Sequence, residues 1–485
     1  MNKFLEPTNI FVIGSTESLE ISMICEKALS LKSQNKKILI IDCISDTDKP
    51  LNFYFAEKYN LYKFKHFKKI LIKNGIDVIT LHSNAQKIHN EISKVNTLAE
   101  KAALMELIAV KRDVKPCGHC HSKQKKHLVE SYLNVYLEFE HLLKKIGVEC
   151  IYIYNGRFLI GNACWAVSKA KKYNIKFLEQ IVMNKPDRYW VFEEPVHSTS
   201  YRAKVINGFI EEKFDNKKLP YIRSGLEWYL RRISGEGQSF TSKQSLDFNK
   251  KNSKDTIVSY FTSSEDELIL LGLEDPEWGD QKSIIIKLAE YFEGLGQVNF
   301  VIRIHPNTNH KSSAEILRWK KFTKYLENKF NFIEVIDSLS KVNTYSLMKE
   351  SNLVITGGST VNLEAAFLKI PNVLIGNGLY KDMDIAFTPK NYDEFCADFN
   401  KYLKNDKSGN FYENAIKVGA FHSNAGIPFN FITINSQGNY IRILETQISN
   451  SKVYSVSLKI DKIFLKLKTN LWHNLKHKKY LKTNF

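Results

Sequence analysis

Short apolar runs alternate with longer amphipathic stretches along this chain, and the alternation occurs twice. The first series has apolar runs at residues 9–14 (NIFVIG), 37–42 (KILIID), 77–81 (DVITL), 149–154 (ECIYIY) and 176–179 (KFLE). Helical periodicity lies between them at 19–31, 128–146 and 162–173. Continuous apolar runs of strand length, separated by amphipathic helices, specify a parallel sheet with helices on both faces. The period then lapses over 234–255 (SGEGQSFTSKQSLDFNKKNSKD), a stretch rich in Ser, Gly, Lys and Asn that reads as a linker.

A second series follows, with strands expected at 256–261 (TIVSYF), 299–304 (NFVIRI), 333–336, 353–356 (LVIT) and 372–375 (NVLI). Helices are expected at 281–295, 340–351 and 361–368. The fold class is therefore α/β, with two Rossmann-like doubly wound domains in tandem. The expected division is 1–233 and 256–440, with 234–255 as linker and 441–485 as a basic, amphipathic, helical tail. In such sheets ligands bind beyond the carboxyl ends of the strands, and between two domains the crevice is the natural site.

Charge sharpens the reading of the tail. The 485 residues carry 70 Lys+Arg against 52 Asp+Glu, a formal net charge of +18. Residues 451–485 hold nine Lys and the single acid Asp461, a local net of +8. Val456, Leu458, Ile460, Ile463, Phe464, Leu465, Leu467 and Trp472 are interleaved. A helix there has an apolar stripe and a basic face, which suits an anionic membrane surface or packing back on the first domain. The remaining excess is modest, so nucleic acid is not an expected partner. An apolar fraction of 43% excludes a mainly disordered chain. No secretory pattern opens the sequence and no membrane-spanning run occurs, so the expected location is the cytoplasm, with the tail allowing a peripheral position on the inner face of the cell membrane.

Seven cysteines are scattered along the chain, which in a reducing compartment reads as buried thiols. One pair is closely spaced: Cys117-Gly-His-Cys120-His121. Its spacing fits C-x-x-C-H haem attachment, which needs an exported protein and is disfavoured by the missing secretory pattern, a redox pair, half of a zinc site, or a loop with two ordinary thiols. A polar loop precedes it where a redox pair usually follows a strand, so a small structural zinc on Cys117, Cys120 and His121 is the preferred functional reading.

Two constellations in the second series carry chemistry. In the first, the strand at 299–304 delivers Arg303 and His305 to its carboxyl end, and Pro306 stops the ladder. Such a His can hydrogen-bond a phosphate, or as a cation offset charge on a leaving group. In the second, a strand ends in Gly357-Gly358, and Ser359 or Thr360 caps a helix carrying Glu364. Glycine permits close backbone approach, the first helical turn offers N–H groups to a phosphate, and Glu364 could accept from ribose hydroxyls. Ser263 and Ser264 follow the strand at 256–261 on the same rim.

These residues resemble the GT-B glycosyltransferases, and among them the bacterial capsule and surface-polysaccharide enzymes that use CMP-activated acidic sugars. The resemblance rests on His305-Pro306 and Ser359-Thr360, which match the HP and S-S/T motifs of that group. It covers about residues 256–380. It implies that His305-Pro306 and Ser359-Thr360 hold the nucleotide of a nucleotide sugar. With the residues read above, the expected nucleotide site is Ser263, Ser264, Arg303, His305, Pro306, Gly358, Ser359, Thr360 and Glu364. Because His305, Arg303 and the helix N-terminus can stabilise the leaving group, no metal or other cofactor is expected to be required. The resemblance also implies a glycan or lipid-linked glycan acceptor on the first domain. The acidic D/E-D/E-G motif of sialyltransferases is absent from the first domain. Candidate catalytic groups there are Arg157, which could hold a carboxylate, Glu179 as general base, and Glu17 beside Gly14. Rival expectations are a non-hydrolysing UDP-sugar 2-epimerase, a polyol-phosphate transferase, and a non-catalytic assembly or membrane scaffold.

Overall fold

The computed structural model describes residues 6–14, 18–43, 68–69, 71–81, 92–180, 188–195, 198–236, 244–248, 256–270, 272–273, 275–434 and 441–443. Two parallel-rich sheets in tandem, each flanked by helices, make up its α/β architecture. In the first half the strands are β1 (Thr8–Ile13), β2 (Ile38–Asp42), β3 (Asp77–Thr80), β4 (Val148–Tyr154), β5 (Ile175–Gln180) and β6 (Arg188–Phe192). Its helices are α1 (Ser18–Ser33), α2 (Ile92–Lys111), α3 (Ser122–Leu143) and α4 (Leu159–Ala170). Every residue of β1 and β2 is buried, as continuous apolar runs covered on both faces must be. The sheet order is β12-β6-β5-β4-β1-β2-β3, where β12 is Ile427–Pro428; β6 runs antiparallel to β5, β12 runs antiparallel to β6, and the other neighbours are parallel.

A 35-residue helix, α5 (Thr199–Ile233), leaves the first sheet. Ser198 caps it, accepting from the Tyr201 N–H, and Pro220 lies inside it. The second half is β7 (Thr256–Phe261), α6 (Glu265–Leu270), α7 (Gln281–Leu295), β8 (Val298–Arg303), α8 (Ser313–Lys329), β9 (Ile333–Ile336), α9 (Thr344–Glu350), β10 (Leu353–Thr356), α10 (Val361–Phe367) and β11 (Asn372–Leu374). Its sheet, β11-β10-β7-β8-β9, is wholly parallel. Chain order reverses between β7 and β10, so the switch point lies above those two strands.

Two helices close the second half, α11 (Tyr392–Lys404) and α12 (Ser408–Asn424), and the chain then returns to the first sheet as β12 (Ile427–Pro428) beside β6. The two halves are thus joined in both directions. Helix α5 contributes Ala203, Ile206, Trp228 and Tyr229 to the core built on the second sheet. It packs along α12 with little between the backbones: a Cβ on Gly225 would stand 2.3 Å from the Ile416 carbonyl oxygen. Glu26 of α1 holds the returning chain, its carboxylate accepting N–H bonds from Asn430 (2.8 Å), Phe431 (2.9 Å) and Ile432 (2.9 Å).

Within the expected linker, Leu246 bridges to Val342 and Phe248 is buried in the second half. No helix among the described residues is long and apolar enough to cross a membrane. The basic tail lies, from residue 444 onward, outside the described residues.

Candidate functional site

The site forms where the carboxyl ends of β7, β8 and β10 face the first half. Behind β7 the backbone of Ser263 is clamped by one side chain: Gln281 accepts from its N–H (2.7 Å) and donates to its carbonyl (3.1 Å). Ser263 Oγ is buried without a hydrogen-bond partner. Ser264 Oγ accepts from Asn307, whose amide also reaches Glu267. Both serines expected on the rim are therefore there, and Ser263 has an unused hydroxyl.

Beyond β8, His305 begins a tight 3-10 turn, Pro306–His310, in which its Nδ1 accepts the Asn307 N–H at 3.1 Å. Accepting at Nδ1 places the ring proton of the neutral imidazole on Nε2. Burial, and the nearby charges of Lys311 and Arg303, push the group down to about 4. Lowering of the group favours the uncharged ring near neutral pH, with its N–H at Nε2 available to donate, where the sequence reading also allowed a cation. Arg303 also differs from expectation. Its guanidinium is buried and donates to the carbonyls of Asp337 (2.5 Å) and Ser340 (3.3 Å), so it ties down the loop after β9.

At the end of β10, Gly358 adopts φ of +100°, and a Cβ there would meet the Asn377 carbonyl at 3.0 Å. Glycine is required for both reasons. The N–H groups of Gly358 and Ser359 bond the Thr356 hydroxyl at 3.3 Å each, and Thr356 donates to Asn362. The loop thus satisfies internally two of the donors expected to face a phosphate. Ser359 and Thr360 are half-buried on the rim. Glu364 is elsewhere: it is buried in a forked ion pair with Arg232 of α5, and Arg232 lies 4.8 Å over the Trp228 ring. Its carboxylate ties the end of α5 to α10 and is taken up by the guanidinium, not turned toward a ribose.

Above the switch point a cavity of about 810 Å3 opens. Trp278, Leu273, Ile375 and Gly357 give it an apolar floor, and Lys282, Arg318 and Lys321 line it with charge. Val114 and Lys115, from the loop after α2, supply the wall from the first half. The same loop docks across the gap: Asp113 accepts from Ser312 Oγ at 2.8 Å and pairs with Arg318, while Arg112 lies 3.8 Å from Asp266. Asp266 also forms a buried ion pair with Lys311 at 2.5 Å. Acids line the cavity as well, at Glu265, Asp275 and Asp280.

Facing these elements are the groups on the first sheet. Glu179 lies near the end of β5, its Oε2 buried without a hydrogen-bond partner and 3.8 Å from Arg202 of α5. Burial raises its carboxyl above the ordinary value, while Arg202 and then Arg157 pull it back. Arg157 follows β4 and stacks 5.0 Å over Phe158, and its charge acts on Glu267 of the second half as well as on Glu179. The structure therefore brings Glu179 and Arg157 together. Glu17 lies outside the described residues. Arg202, Lys282 and Trp278 were not found by sequence reasoning. Each comes from a helix or loop whose periodicity is ordinary, and it reaches the site through the packing of α5 and α7.

Cys117 and Cys120 are exposed, in the turn that leads into α3. Among the described residues no group of three His, Cys, Asp or Glu converges to hold a metal, so Cys117, Cys120 and His121 form no such cluster.

A family described as a protein of unknown function (DUF354) matches residues 247–390, the stretch that carries the second sheet. No curated protein matches the chain. Among solved structures it is similar to the β-Kdo 2,4 transferase KpsC of Thermosulfurimonas dismutans, at 10% identity over 62% of this chain and 86% of that one, with a TM-score of 0.41. It is also similar to a UDP-GlcNAc 2-epimerase of Methanocaldococcus jannaschii in complex with UDP-GlcNAc and UDP, at 14% identity over 85% and 98% of the two chains, with a TM-score of 0.30.

Proposed function

We propose that this protein is a glycosyltransferase that moves a sugar from a nucleotide-activated donor to a growing capsule or surface polysaccharide. The observation that carries the reading is the pairing of two features across one gap. A cavity lined by Trp278, Leu273 and Ile375 together with Lys282, Arg318 and Lys321, and by the acids Glu265, Asp275 and Asp280, lies at the second sheet, and a buried carboxylate beside Arg202 and Arg157 lies near the end of β5 in the first. The nucleotide occupies the cavity, with its base over the apolar floor by Trp278 and its phosphate toward Lys282, Arg318 and the rim at Ser263, Ser359 and Thr360. His305 donates through Nε2–H. Glu179 takes the proton of the acceptor hydroxyl, and burial raises its carboxyl above the ordinary value, the direction that makes it a stronger base. Arg157 and Arg202 hold Glu179 in place and meet an acidic group on donor or acceptor. Charge on the leaving nucleotide is met by side chains, so no metal enters this scheme. A CMP-sugar donor is favoured by the match of His305-Pro306 and Ser359-Thr360 to the motifs of CMP-sugar enzymes, and the first half takes the glycan.

Calorimetry with CMP, CDP and UDP tests the cavity. CMP should bind in the micromolar to millimolar range, and Lys282→Ala should weaken it about tenfold, roughly the loss of one charged contact. No binding of any of the three at millimolar levels would sink the reading, while a preference for UDP would favour the epimerase. Glu179→Gln should leave nucleotide affinity unchanged and reduce transfer by about a hundredfold or more, with loss of the acidic limb of the rate profile.

A further inference from the structure

Of the seven cysteines, Cys117 and Cys120 are exposed, four are buried and Cys396 is half-buried. The exposed pair is built for contact with each other. Their sulfurs are 2.8 Å apart, and the Cys120 N–H points at Cys117 Sγ at 3.3 Å. The turn that carries them closes through the His121 N–H to the Cys117 carbonyl at 3.1 Å and runs directly into α3. A disulfide needs sulfurs about 2.05 Å apart, so closure asks for a movement of less than about 1 Å within a four-residue turn. A third ligand that would turn the pair toward zinc is absent among the described residues.

We propose that Cys117 and Cys120 are a redox-active dithiol, closed to an intrachain disulfide by exchange with small disulfides and reopened by thiols. The two sulfurs have different roles. The Cys120 thiol and its N–H stabilise a thiolate on Cys117, which lowers Cys117 below its ordinary value, and the same hydrogen bond, followed by the charge on Cys117, raises Cys120. Cys117 thiolate attacks one sulfur of a disulfide such as glutathione disulfide and expels one glutathione thiolate. The Cys120 sulfur then attacks Cys117 Sγ, forming the Cys117–Cys120 bond and expelling the second glutathione. The protein gives up two electrons and two protons, and the small disulfide is reduced to two thiols. This chemistry is independent of the glycosyltransferase reading. It does share a loop with it, since Val114 and Lys115 on the cavity wall lie just before the pair.

The test equilibrates reduced, full-length protein with glutathione disulfide, alkylates the remaining thiols and maps the peptides. The peptide containing Cys117 and Cys120 should escape alkylation, carry no glutathione, be two hydrogens lighter, and recover both thiols with dithiothreitol. Cys120→Ser should stop at a stable glutathione adduct on Cys117, and Cys117→Ser should slow modification of Cys120 by about tenfold. Two alkylatable thiols after equilibration, or a separate glutathione on each, would overturn the proposal. So would purified protein that holds an equivalent of zinc and undergoes exchange only after chelation.

Discussion

His305 is the residue at which position and protonation part company. Its place at the end of β8 follows from an apolar run ending in His-Pro, whereas its charge depends on what surrounds it once folded. Its ordinary value of 6.5 falls to about 4 in the folded protein. Unfolding therefore takes up a proton between those values, so the stabilisation is complete above about pH 6.5 and is lost as pH falls toward 4. A shift of that size amounts to about 3 kcal/mol at most. Urea midpoints at pH 7 and pH 4.5 should differ more for the native protein than for His305→Asn, which retains an acceptor for the Asn307 N–H and does not titrate. Equal differences in the two proteins would mean that His305 is solvated and charged. Glu364 makes the same point from the other side. Its helix position was legible, but its partner, Arg232, lies 132 residues away in sequence, and no local pattern links them.

At the scale of elements, the sequence was most legible where burial is symmetrical. The apolar runs at 256–261 and 353–356 coincide with β7 and β10, inner strands buried along nearly their whole length, while 333–336 coincides with β9, an edge strand whose Glu334 and Val335 are half-buried. Strand β6 and the long helix α5 were not anticipated. Arg188–Phe192 is brief and antiparallel, and α5 carries Pro220 and a polar middle, so neither shows a clean period. What makes α5 a helix is its partner. Gly225 and Gly419 let α5 and α12 approach so closely that a Cβ on Gly419 would stand 2.8 Å from the Tyr229 ring. Gly225→Ala should therefore cost about 2 kcal/mol or more through overpacking. Gly208→Ala, in the same helix with nothing within 4 Å of the added Cβ, should be neutral or stabilise by up to about 1 kcal/mol through helix propensity. Thermal melting of the two variants checks this, and similar shifts would show that the close approach of the two helices is absent in solution.

The whole molecule depends on the chain's return to its first sheet. Glu26, buried in α1, holds that return by accepting three backbone N–H groups from residues 430–432. Glu26→Ala leaves those donors unpaired and should cost about 3 kcal/mol or more, whereas Glu26→Gln, which keeps one acceptor oxygen, should cost less. Limited proteolysis is the readout: cleavage within 426–434 should speed up in the order native, Gln, Ala, and unchanged cleavage in Glu26→Ala would remove Glu26 from this role. The sequence by itself determined the tandem α/β architecture, the placement of His305 and of the Gly357-Gly358 turn at strand ends, and the linking of Arg157 and Glu179 to the first sheet. These follow from local periodicity and from what glycine and proline do to the backbone. Only the tertiary structure decided the charge on His305, the diversion of Arg303 and Glu364 into internal contacts, and the arrival of Arg202, Lys282 and Trp278 at the site. Those depend on desolvation and on partners far away in sequence, which come together only when α5 and the loop after α2 pack across the gap between the sheets.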